Sequence, residues 1–125
     1  MFVDDHREFA LAVQEFLEGK GYRVTLAHDG MKALELVAQV KPELVIMDVM
    51  MPRLDGWQTL ESLRKNPQTA QLPVLILTAR KSNQDVTQSF AAGCTWYYSK
   101  PISDFEDFAL VVRQLLEDPS REQPE

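Results

Sequence analysis

The sequence predicts an α/β domain in which a doubly wound, five-stranded parallel sheet carries helices on both faces. Three observations lead there. Strand-type and helix-type hydrophobic patterns alternate five times along the 125 residues, as expected of successive strand–helix units. Two strand-type runs, Leu44-Val-Ile-Met47 and Val74-Leu-Ile-Leu77, are continuously apolar, as strands covered on both sides must be. The intervening segments have the length and periodicity of amphipathic crossover helices.

The elements follow in order. Met1, Phe2 and Val3 make a short first strand ahead of Asp4, as though the chain began inside it. From Arg7 to Lys20, Phe9, Val13, Phe16 and Leu17 share one helical face, and Gly19 and Gly21 offer a left-handed cap. Arg23 to His28 reads as a strand. Met31 to Gln39 reads as a helix buried through Leu34, Val37 and Ala38, and broken by Lys41-Pro42. After the third strand, Pro52 to Gly56 is a loop in which Asp55 caps a helix carrying Leu60 and Leu63. Beyond the fourth strand, Val86 and Phe90 lie at helical spacing and Gly93 ends the helix. Trp96-Tyr-Tyr98 is strand-like by aromatic content. Phe105, Phe108, Val112, Leu115 and Leu116 form a last helical face. The domain is expected to span residues 1–118, with a polar, disordered tail over 119–125.

Composition narrows the function. Nineteen acidic against thirteen basic residues give a net charge of −6, which nucleic-acid phosphate repels. No direct nucleic-acid or membrane binding is expected. A single cysteine, Cys94, permits no internal disulfide and suits a reducing, cytoplasmic setting; it reads as a half-buried apolar filler. His6 and His28 read as surface or loop residues, because neither has a His or Cys at ligand spacing. Trp57 reads as helix surface or packing.

Polar residues stand where strands end: Asp4 and Asp5 after the first, Asp48 after the third, Thr78 after the fourth, Lys100 after the fifth. In an open parallel sheet those ends share one edge, where ligands bind. Three carboxylates there repel one another, and a hard dication such as Mg²⁺ relieves the conflict. An ammonium and a hydroxyl beside them suit a transferring phosphoryl group, and an Asp can be its nucleophile.

With these strings in place (Val3-Asp4-Asp5, Met47-Asp48-Val49-Met50-Met51-Pro52, Leu54-Asp55-Gly56, Leu77-Thr78-Ala79, Tyr97-Tyr98-Ser99-Lys100-Pro101) the chain resembles a receiver domain of two-component response regulators, of the chemotaxis-regulator kind. The resemblance implies the flavodoxin-like (βα)5 fold with strand order 2-1-3-4-5. It implies that Asp48 is the phosphoacceptor, and that Asp5, Asp48 and the Met50 backbone carbonyl bind Mg²⁺ with help from Asp4, Mn²⁺ being a possible substitute. Thr78 and Lys100 would contact the phosphoryl oxygens, Thr78 and Tyr97 would form the switch, and Lys100-Pro101 would be a cis peptide. The expected donor is a sensor histidine kinase or histidine phosphotransfer protein. The expected output is a partner or fused domain engaged through residues 83–112. The module is expected to be no enzyme beyond its own phosphoryl transfer and autodephosphorylation.

Other classes fit less well. Aspartyl phosphatases want a second Asp two residues after the nucleophile, where Met50 stands. An FMN binder wants a Gly/Ser/Thr-rich loop after the first strand, where Asp4-Asp5-His6 is acidic.

Overall fold

The computed structural model describes residues 1–49, 56–78 and 83–117. Five strands, β1 (Phe2–Val3), β2 (Leu26–Ala27), β3 (Val45–Asp48), β4 (Val74–Thr78) and β5 (Trp96–Ser99), alternate with five helices. The helices are α1 (Arg7–Gly19), α2 (Gly30–Val40), α3 (Gly56–Lys65), α4 (Asn83–Ala91) and α5 (Phe105–Glu117). All strand pairings are parallel, in the order β2-β1-β3-β4-β5. The predicted architecture is the observed one. Among the described residues no helix is long and apolar enough to cross a membrane.

Strand side chains alternate between two cores. Val45, Met47, Val74, Ile76 and Tyr97 join Ala33 and Val37 of α2, Leu60 and Leu63 of α3, and Phe90 of α4. Ile46, Leu75, Leu77, Trp96 and Tyr98 join Val13 and Leu17 of α1 and Phe108, Val112 and Leu115 of α5. β3 and β4 are buried throughout, whereas the edge strand β5 is half-buried.

Several local expectations need correction. Gly19 stays helical as the last residue of α1, and Gly21 alone takes the left-handed conformation (φ 98°). The strand expected from Arg23 to His28 pairs only at Leu26–Ala27, because β1, its one neighbour, is itself two residues long. α2 begins one residue earlier than expected, capped by Asp29, whose carboxylate accepts the Lys32 amide at 2.8 Å. It ends on a non-glycine left-handed residue, Lys41 (φ 53°). Cys94 is wholly buried rather than half-buried, at 2% exposure, and burial pushes its thiol up to about 12. It is therefore a protonated, apolar filler at neutral pH. The expected Asp55 cap and the tail over 119–125 lie outside the described residues.

Arg64 clamps the end of α3. Its Nε donates to the Gly93 carbonyl at 2.8 Å, and its Nη1 donates to the carbonyls of Thr69 and Leu72 at 3.1 and 2.7 Å. Gly93 (φ 105°) permits the approach, since a Cβ there would meet Arg64 Cγ at 2.9 Å. Arg64→Ala leaves three carbonyls without their charged donor and should cost roughly 1–3 kcal/mol. Chemical denaturation measures it, and an unchanged midpoint would refute the clamp.

Candidate functional site

The carboxyl edge of the sheet gathers the acidic residues. Asp4, directly after β1, is fully buried, and its backbone amide donates to the Ala27 carbonyl. Its Oδ1 accepts the His6 amide at 2.8 Å and lies 3.1 Å from His6 Nδ1. Asp48, the last residue of β3, is 3% exposed. Asp5 is the most accessible of the three, yet its Oδ1 is buried and makes no hydrogen bond among the described residues. One ligand atom from each of Asp4, Asp5, His6 and Asp48 falls within a 4.8 Å cluster.

Lys100 answers this charge. Its backbone amide donates to the Thr78 carbonyl at 2.8 Å, which ties the residue after β5 to the end of β4. Its Nζ lies 3.1 Å from Asp48 Oδ2 and 3.5 Å from Asp4 Oδ2. The ammonium also sits 5.0 Å from the centre of the Phe9 ring of α1, a cation–π contact that confines it further. One ammonium does not balance three carboxylates. Even at the 4.8 Å outer limit of the cluster, two like charges repel by on the order of 3 kcal/mol at an effective dielectric near 20. The three carboxylates, with the buried Asp5 Oδ1 making no hydrogen bond among the described residues, fit a hard dication such as Mg²⁺.

Thr78 ends β4 at the same edge, 1% exposed, paired in register with Ser99. Tyr97 lies one strand further out, on the α4 side. Its half-buried ring meets Phe90 edge-on at 5.8 Å and 84°. The Lys100–Pro101 peptide is cis. The Met50 backbone carbonyl lies outside the described residues.

The family model described as the response regulator receiver domain matches residues 1–113. The chain belongs to the receiver family. Among relatives, it is 39% identical over 93% of its length to the DNA-binding dual master transcriptional regulator RpaA of Synechocystis, covering 48% of that protein. It is 40% identical over 93% of its length to the response regulator MprA of Mycobacterium ulcerans, covering 49%. It thus spans about half the length of the curated relatives it matches. Among solved structures it resembles the receiver domain of a signal transduction histidine kinase from Syntrophus aciditrophicus. That match has a TM-score of 0.87 and 28% identity, covering 99% of this chain and 93% of the other. The Francisella response regulator 1452 receiver domain gives a TM-score of 0.83 at 31% identity, with 96% of each chain covered.

This receiver is therefore a signalling domain of the two-component class, with an acidic group of the kind in which receivers bind Mg²⁺. Three contacts escaped sequence reasoning. His6 reads as a surface residue and its side chain is indeed 69% exposed, but its ring borders the acidic cluster. Phe9 reads as an apolar face residue but lies under the Lys100 ammonium. Trp57 packs on the core and also donates from Nε1 to Ser89 Oγ at 3.0 Å, linking α3 to α4. The signal for His6 was its place two residues after Asp4, since a residue two after a buried Asp can have its amide held by that carboxylate.

Proposed function

We propose that this receiver accepts a phosphoryl group on Asp48 from a phosphohistidine of a sensor histidine kinase or histidine phosphotransfer protein. The observation that carries the reading is the Lys100 ammonium 3.1 Å from Asp48 Oδ2, with Asp4 and Asp5 in the same cluster. An Asp48 carboxylate oxygen attacks phosphorus while the bond from phosphorus to the histidine nitrogen breaks. Lys100 neutralises charge on the phosphoryl oxygens, and the Thr78 hydroxyl donates to one of them. Asp5, Asp48 and the Met50 backbone carbonyl, assisted by Asp4, would hold Mg²⁺, with Mn²⁺ as a substitute, and the ion supplies positive charge to the transferring group.

Water later hydrolyses the aspartyl-phosphate and restores the carboxylate. The signal leaves through residues 83–112. Phosphoryl on Asp48 draws in the Thr78 hydroxyl, the Tyr97 ring turns into the space, and a population shift changes the face formed by α4, β5 and α5. Half-exposed aromatics on an edge strand support that surface as a docking site. The receiver unit spans residues 1–118 and works in the cytoplasm, with output through a separate partner or a fused domain.

The test is incubation of the chain with a small acyl phosphate, with and without Mg²⁺. One phosphoryl group per chain, labile to base and lost when Mg²⁺ is chelated, is the expected result. Equal labelling in excess chelator would sink the metal assignment.

A further inference from the structure

The acidic pocket has a neighbour that a pure oxygen site does not need. His6 sits at the N-cap of α1 with its amide held by Asp4 Oδ1 at 2.8 Å, so the turn fixes where its ring begins. Its Nδ1 lies 3.1 Å from Asp4 Oδ1 and 3.3 Å from Asp5 Oδ1. Bonds of about 2.1 Å to one ion separate adjacent ligands by about 3.0 Å in octahedral and 3.4 Å in tetrahedral geometry. The observed spacings fall between those limits. The Asp5 oxygen concerned is the buried one that makes no hydrogen bond among the described residues.

We propose that His6 is a metal ligand, and that its imidazole makes this pocket prefer the borderline dications Co²⁺, Ni²⁺ and Zn²⁺ over Mg²⁺. The inference rests on the reading that Asp4, Asp5 and Asp48 hold a dication, and extends it to which ion is held. Mg²⁺ takes oxygen ligands and dehydrates reluctantly, so an imidazole adds little to its binding. Nitrogen ligation suits the later first-row ions, and affinity for a mixed nitrogen and oxygen site rises from Mn²⁺ through Co²⁺ to Ni²⁺. The exposed position of His6 leaves an entry path, and it lets the side chain be replaced without touching either core.

The experiment is calorimetric titration of the whole chain with Mg²⁺, Mn²⁺, Co²⁺ and Ni²⁺ separately. Wild type is compared with His6→Ala, His6→Gln, His28→Ala and Asp5→Asn, and Co²⁺ binding is followed in parallel by visible absorption. Wild type should bind Ni²⁺ more tightly than Mg²⁺. His6→Ala and His6→Gln should each weaken Ni²⁺ by about tenfold or more, leave Mg²⁺ unchanged, and alter the Co²⁺ absorption band. His28→Ala should change nothing, and Asp5→Asn should weaken every ion. Unchanged Ni²⁺ affinity in His6→Ala, beside normal Mg²⁺ binding, would overturn the proposal and leave the Mg²⁺ site intact. Transfer of the loss to His28→Ala would overturn it equally. Failure of wild type to bind any of the ions would instead remove the acidic pocket itself as a metal site.

Discussion

Asp48→Asn should reduce acyl-phosphate labelling from one phosphoryl group per chain to none, while the protein melts no lower than wild type. The two halves of that result have one cause. The amide keeps the shape of the carboxylate, so β3 and its pairing with Leu77 are undisturbed, but an amide oxygen is no nucleophile toward phosphorus. Removing one of three crowded negative charges also relieves repulsion that Lys100 only partly offsets. Mass spectrometry and thermal melts of the same samples provide both readings. Undiminished labelling of the variant would move the phosphoacceptor elsewhere.

Gly56→Ala should damage both fold and activity. A Cβ on Gly56 would lie 2.6 Å from the Asp48 carbonyl oxygen and 2.8 Å from the Val49 Cα, where ordinary contact begins at 3.4 Å. Both obstacles are backbone, so no side chain can swing aside. The Gly56 amide also donates to the Val49 carbonyl at 3.0 Å, which holds the start of α3 against the end of β3. Parting them by the required 0.8 Å or so should cost about 1–3 kcal/mol as overpacking. Displacing Asp48 by a comparable distance should slow phosphoryl transfer by about a hundredfold. Denaturation midpoints and labelling rates measured on the variant check the two effects separately. A wild-type rate with wild-type stability would show that this contact is slack.

The fold was legible because its signals are local and redundant. Leu44 to Met47 and Val74 to Leu77 can hardly be anything but central strands, and the apolar spacing in α1 and α5 left one solution. The polar residues at the strand ends were legible for the same reason, since sheet geometry collects them at one edge whatever the details of packing. Much of what failed to show depends on partners far along the chain. β2 shrank to Leu26–Ala27 because pairing, unlike propensity, is limited by the neighbour. Nothing local to Arg64 marks its role, because its partners include Gly93, 29 residues away. His6 was weighed against other histidines and cysteines, while its real companions were the aspartates immediately before it.

The partition of the interior into two apolar clusters has a consequence for how the molecule can evolve. The β-sheet is a wall: Tyr97, Phe90 and Trp57 lie on one side of it, and Phe108, Val112 and Leu115 on the other. Substitutions far apart without shared partners add nearly independently. Selection can therefore retune one side, trading one ring or methyl for another, while the packing on the opposite side stays intact. A module divided this way tolerates specialisation that a single undivided core would register as instability.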